Sequence, residues 1–248
     1  MPTFSTIARL AADDCLVKPL LINFFSGDQP FRVKVDLERS GERAPDDWFH
    51  ASTHPTWTDR DLYLYLAHPE RQEAEQLGYV AKMSMLMGTI MHEVTRLALI
   101  QMRVVVPVPV GFCPACGLPQ PRMCKEHGAA DPATRSRGHL DGILNFGPAG
   151  TFGFDLKSIW PMGLNKVPDM DLEYFRAQMK TGPRHYAQAQ EYMRLTGLRK
   201  FIFLYMGLGN PWEWREFHIP FDPVHCARTE AKYRRVLSAV NEGRQILA

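Results

Sequence analysis

GHLDGILNFGPAGTFGFDLKS, residues Gly138 to Ser158, holds two apolar stretches joined by a Gly-Pro turn, with Asp141 in the first and Asp155 and Lys157 flanking Leu156 in the second. Carboxylates and ammonium groups are costly to bury unless they are paired or bind a cation. Here all three sit among residues that otherwise read as core. The two stretches read as the strands of a hairpin. Alternate residues of a strand share a face, so Phe152, Phe154 and Leu156 point one way and Gly153, Asp155 and Lys157 the other. In the first stretch Asp141 shares its face with His139 and Ile143. Whether the two aspartates meet depends on turn parity. If position 141 pairs with 155, the loop centres on Pro148 and has an odd number of residues; an even loop puts the carboxylates on opposite faces. Odd loops of this kind suit Gly and Pro, so the odd loop or an equivalent bulge is expected. Two carboxylates on one face repel unless something positive lies between them, and oxygen ligands favour Mg2+ or Mn2+. Lys157 beside such a cation would orient a water or stabilise charge developing on a phosphate. The plainer alternative is a surface hairpin with an Asp–Lys pair.

Upstream of the hairpin, Lys82 to Met102 is the strongest helix signal, with unbranched Met and Leu at three- and four-residue spacing. Thr58 reads as the N-cap of a helix running to about Leu66, with Asp61 near the capping-box spacing. FRVKVDL (Phe31 to Leu37) alternates like a strand, and residues 38–57 read as loop. RVVVPVPV, from Arg103, is β-branched with two prolines and fits an edge strand. Downstream, Asp169 to about Lys180 and Pro183 to Thr196 read as helices. KFIFLYMGL and EWREFHIPF read as a strand pair around GNPW, and a long helix starts near Asp222. Helix, strand, hairpin, helices, strand pair and helix in that order predict an α/β domain, a mixed central β-sheet flanked by helices. The chain, 248 residues long and 45% hydrophobic, is expected to form one domain over 1–248, with an insertion at 111–130.

That insertion is Cys-, Pro- and Gly-rich and lacks periodicity. Cys113, Cys116, Cys124 and His127 form a C-x2-C-x7-C-x2-H array. The set suits a closed tetrahedral Zn2+ site of the structural kind, which would fold a loop too small to hold itself by a core. The alternative is a loop of scattered reduced thiols. Five cysteines, three of them clustered, suit a metal site in a reducing cytoplasm better than a disulfide framework. A formal net charge of +2 is too small for a polybasic nucleic-acid coat, so any such contact must come from local patches such as ARTEAKYRR, Ala227 to Arg235. That run also reads as an ordinary solvated helix face. No window approaches the length of a membrane span, and no secretory signal is visible.

Two further pairs complete the pattern. Gly88 and His92 lie four apart on the long helix, and a glycine there costs about 1 kcal/mol of helix stability, which suggests that something approaches closely. Taken alone, a histidine such as His92 is more often a satisfied core residue than a ligand. Gln188 and Tyr192, also four apart, share a helix face. With Gly138…Asp141 and Asp155-Leu156-Lys157, in that order, the set resembles the PD-(D/E)XK nuclease superfamily, in its RecB-like branch, which includes CRISPR-associated exonucleases; the match spans about residues 85–195. The resemblance implies a restriction-endonuclease-like core. It also implies a Mg2+ or Mn2+ ion held by His92, Asp141, Asp155 and the backbone carbonyl of Leu156, with Lys157 positioning the attacking water and Gln188 and Tyr192 contacting DNA. It implies hydrolysis of DNA phosphodiesters, exonucleolytic by preference, in recombination, repair or DNA processing. DNA is then the partner, a recombination or helicase protein is compatible, no membrane is involved, and the compartment is the cytoplasm, that of the host if the chain is phage-encoded. The iron–sulfur cluster of many relatives is not expected, because only Cys15 and Cys226 occupy the relevant regions; both are expected to pack as small apolar residues. A metal hydrolase acting on another phosphoester and a non-catalytic DNA-binding module with the same fold are the competing readings.

Overall fold

Strand β5 (Thr151–Ile159) lies inside a four-stranded sheet and is buried on both faces from Phe152 to Leu156. The computed structural model describes residues 15–27, 46–71, 78–106, 127–159, 169–177, 179–208 and 213–246. The sheet order is β4 (Gly142–Asn145), β5, β6 (Lys200–Gly207), β7 (Trp214–Pro220). β4 and β7 run antiparallel to their neighbours, while β5 and β6 are parallel. A parallel pair needs a crossover, supplied here by α4 (Leu172–Ala177) and α5 (Gly182–Thr196). The expected mixed α/β architecture is therefore present.

The alternation read from the sequence assigns the two cores. Phe152, Phe154 and Leu156 join Ile202, Leu204 and Met206 beneath α1 (Val17–Phe25) and the end of α3 (Tyr79–Gln101). On the opposite face, Phe201, Phe203, Tyr205 and Phe217 pack against α4 and α5. A third cluster joins Phe49 of β1 (Phe49–His50) to α2 (Asp59–Ala67) and α6 (Pro223–Asn241). Thr58 caps α2 through a capping box with Asp61, as its spacing predicts. Asp222 caps α6 by accepting from the amides of Val224 and His225.

Three expectations change. The stretch 137–158 is not one hairpin: β3 (Ser136–Leu140) belongs to a separate three-stranded sheet in which it lies between β1 and β2 (His127–Asp131), and only β4 turns back onto β5. The break falls at Asp141, whose carboxylate accepts the Leu156 N–H in place of the Leu140 carbonyl that the register would put there, so a side chain takes over the ladder position and the chain leaves the sheet. Second, His127–Asp131, read as the irregular end of the insertion, is strand β2 and pairs antiparallel with β3. Third, the run after Arg103 forms only a short edge pairing: Val105 bridges Leu144, and the Val106 amide reaches the Ile143 carbonyl at 2.7 Å. The remainder of that run, the strand expected at 31–37 and the GNPW turn lie outside the described residues.

Candidate active site

Gly142 pairs with Phe154 and Asn145 with Thr151, so the register centres on Pro148 and carries Asp141 opposite Asp155. This is the odd loop that turn chemistry predicts, spanning 146–150 with a short 3-10 turn at Gly147–Ala149. Both carboxylates are thereby brought to one end of β4.

His92 reaches them from α3. Its Nδ1 stands 3.0 Å from Asp141 Oδ2, the oxygen that also accepts the Leu156 N–H at 2.6 Å. Gly88, one turn earlier, faces β5: a Cβ there would lie 2.9 Å from Ser158 Oγ, a contact that rotation of the serine side chain would relieve. Asp155 Oδ2 accepts from Lys157 Nζ at 2.8 Å and from Gln188 Nε2 at 2.9 Å. Lys157 also lies over the Phe203 ring. Gln188 donates as well to the Tyr192 hydroxyl at 2.9 Å. The Tyr192 ring stacks on Phe201 and fills the space above Gly138, where a Cβ would come within 2.4 Å of it. Gln188 and Tyr192, expected to meet DNA, are largely buried: Gln188 holds Asp155, Tyr192 holds Gln188, and both line the cleft beside the carboxylates.

The backbone of β5 orients the Leu156 carbonyl. The Ile159 carbonyl accepts from Leu208, next to β6. Amide and carbonyl of one strand residue point to the same edge and alternate along the strand. Position 156 therefore faces the β4 edge, just past the point where β4 begins. Its carbonyl lies on the same edge as Asp141.

The electrostatics follow from burial. Burial pushes Asp155 up to about 7; Lys157 opposes the shift and the Asp141 charge adds to it. For Asp141, burial also acts upward, but the charge and hydrogen bond of His92, the Leu156 amide and Lys157 together hold it below the ordinary carboxylate value. His92 is raised: burial acts against its charged form, but Asp141 and then Asp155 outweigh it. The cluster thus holds an ionised Asp141 beside a carboxyl that resists ionisation. Such a pair has room for added positive charge.

Among the described residues, no three His, Cys, Asp or Glu side chains close around a single point as a ligand cage. The reason is visible in the bonds above: Asp155 turns its Oδ2 to Lys157 and Gln188, while Asp141 turns its Oδ2 to His92 and the Leu156 amide. The donor types, one imidazole, two carboxylates and a carbonyl, still suit a divalent cation, with the oxygens favouring Mg2+ or Mn2+. Cys113, Cys116 and Cys124 lie outside the described residues, and of His127 only the backbone, at the start of β2, is described.

Two clefts open here. One, of about 200 Å³, is lined by Asp141, Asp155, Lys157, Gln188, Tyr192 and Arg137 among others. The other, of about 340 Å³, shares His92 and Asp141 with it and extends past Gly88, Glu93 and Arg96. Arg137 and His50, which the sequence did not single out, also line the first cleft, as does His139, placed on the Asp141 face by its spacing. The available signal was period-two spacing, since 137 and 139 precede 141 on one face. Glu93, next to His92 on α3, is buried and paired with Arg96 at 2.7 Å. Within the basic run Ala227 to Arg235, Lys232 is turned inward, while Arg234 and Arg235 sit in exposed ion pairs. Lys232 donates to the Pro55 and Trp57 carbonyls, Arg234 pairs with Glu230 and Arg235 with Asp59. Cys226 is buried and donates to the Gln190 carbonyl, so it packs as expected.

Among the described residues, no helix is long and apolar enough to cross a membrane. No family model matches the chain, and no curated protein matches it. Among solved structures, the chain is similar to an alkaline exonuclease (LHK-Exo) from Laribacter hongkongensis, at 14% identity over 82% of this chain and 92% of that one, TM-score 0.47. It is similar to the same LHK-Exo in complex with dAMP, at 14% identity over 79% and 89%, TM-score 0.44.

Proposed function

We propose that the chain is a metal-dependent DNA nuclease that hydrolyses phosphodiester bonds, as an exonuclease by preference. The observation that carries the reading is the register placing Asp141 opposite Asp155, with His92, Lys157 and the Leu156 carbonyl converging on the same end of β4. The ordered motif set of the PD-(D/E)XK superfamily supports it. His92, Asp141, Asp155 and the Leu156 carbonyl would hold Mg2+ or Mn2+. That ion supplies an acidified water and offsets phosphate charge. Lys157, with three donor hydrogens, hydrogen-bonds the attacking water or a phosphate oxygen at the Asp155 side of the cleft. Water oxygen bonds to phosphorus, the bond to the leaving ribose oxygen breaks, and the proton released by the water ends on that oxygen or in solvent. Gln188 keeps Asp155 aimed, and Tyr192 forms cleft wall where a strand of DNA would lie.

The test compares wild type and Asp155→Ala on end-labelled linear and closed circular DNA, with Mg2+, Mn2+ or EDTA. Wild type is expected to degrade linear DNA only with metal, and Asp155→Ala to lose at least a hundredfold in rate, on the order expected for loss of a central electrostatic group. Sparing of the circle identifies an exonuclease. A second reading, a DNA-binding module without catalysis, is favoured by one observation: Lys157 and Gln188 already satisfy Asp155 Oδ2. Binding without cutting by both proteins would select it.

We also propose that Cys113, Cys116, Cys124 and His127 bind one structural Zn2+. Elemental analysis of the purified chain should find zinc, and Cys113→Ser with Cys116→Ser should lose it; an unchanged zinc content sinks the assignment.

A further inference from the structure

Arg137 stands on β3 in register with His50 of β1, and both side chains turn to Asp46. The Arg137 guanidinium also lies 5.7 Å from the centroid of the Trp48 ring, and its buried Nε has no hydrogen-bond partner among the described residues. β3 buries Ser136, Gly138 and Leu140 and leaves Arg137 and His139 on the other face. This is the face that continues to Asp141, and Arg137, His139, His50 and Asp141 line one cleft. Four residue steps lead along the chain from Arg137 to Asp141, roughly 13 Å at 3.3 Å each. The guanidinium therefore lies beside the two carboxylates rather than upon them. A guanidinium held by a carboxylate on one side and an aromatic ring on another is pre-oriented, and its remaining N–H groups suit a phosphate.

We propose that Arg137 is a substrate-positioning residue that grips a backbone phosphate flanking the scissile one, with Asp46 and Trp48 fixing its orientation and His50 beside it. This rests on the nuclease reading and goes further by assigning the floor of the cleft to the strand beyond the cut. Lys157 acts at one end of the cleft and Arg137 at the other, so the nucleic acid runs along the exposed face of β3.

The experiment measures binding of an end-labelled oligonucleotide to Asp155→Ala protein across a salt series, with Arg137 intact or changed to Ala or Lys. Removing one phosphate contact should weaken binding by about tenfold at low salt and flatten the dependence of log K on log salt by about one unit. Arg137→Lys should keep the slope. In the cutting background, Arg137→Ala should raise KM with little change in kcat, the mark of binding shared by ground and transition states. Asp46→Asn removes the ion pair but keeps the guanidinium. If Arg137 served only the fold, Asp46→Asn and Arg137→Ala would lower the unfolding midpoint alike and leave the salt slope alone, which would overturn the proposal. Unchanged affinity and slope in Arg137→Ala would overturn it too, while metal-dependent cutting lost in Asp155→Ala would still stand. If the wild-type chain neither binds nor cuts DNA, both readings fall together.

Discussion

Gly138 has no room for a side chain. A Cβ there would meet Tyr192 Cε1 at 2.4 Å and Ala51 Cβ at 2.8 Å, both parts of packed elements. Gly138→Ala should therefore cost about 1–3 kcal/mol, as overpacking does, and should also tilt Tyr192 away from Gln188, loosening Asp155. The expected result is a lower unfolding midpoint together with slower cleavage; an unchanged midpoint would show that the contact relaxes freely. Gly88 makes the opposite case, because its Cβ would meet only the tip of Ser158, which can rotate. Much of this was legible at the level of single residues. Asp141, Asp155 and Lys157 stand out because charged groups among core residues demand a partner. His50 and Arg137 did not stand out, because their meaning comes from pairing between β1 and β3 across a long separation in sequence. His185 is a similar case. It lies three residues before Gln188 on the same helix face, and its hydrogen bond to Tyr205 depends on the crossover that carries β6 back beside β5.

The helices and strands were readable wherever one period dominates. The capping box of α2 is a local device, with the Thr58 hydroxyl accepting the Asp61 amide at 3.1 Å. Thr58→Ala should cost about 1 kcal/mol, measured as a fall in chemical-denaturation midpoint, while cleavage per folded molecule stays the same. A loss of activity out of proportion to that fall would tie α2 to the site, contrary to its place in the third core cluster. The alternation of TFGFDLK gave the correct faces because both are buried against different helices. What alternation cannot reveal is where a strand changes sheets. GHLDGIL keeps a strand-like composition through Asp141, and the break depends on a side-chain hydrogen bond to a residue fifteen positions away.

Across the whole molecule, acid sensitivity should follow from a buried ring. His54 is 2% exposed, accepts the His50 amide through Nδ1 at 2.6 Å, and burial, aided by His50, pushes it down to about 3 from 6.5. The unfolded chain takes up a proton that the folded chain refuses, so stability present above pH 6.5 is lost as the pH falls toward 3. The loss is about 1.4 kcal/mol per unit, or roughly 2 kcal/mol between pH 7 and pH 5. His185, which burial also pushes down to about 3, adds a contribution of its own. Urea unfolding at the two pH values should show the fall, and His54→Asn, which keeps an acceptor, should make it shallower by about the His54 share, whereas equal slopes would remove His54 as a cause.

The same view of the whole changes what a lost activity would mean at Asp141. This residue belongs to neither sheet, and its carboxylate stands in for a backbone carbonyl at the seam between them. Replacing it would strip a partner from a buried amide, a loss of about 1–3 kcal/mol, and would part the two sheets at the point where they meet. An inactive Asp141 variant would thus confound chemistry with architecture. Asp155, anchored within one continuous strand, makes its contacts through side chains only, to Lys157 and Gln188, so replacing it leaves the backbone ladders intact and is the cleaner position at which to read the chemistry.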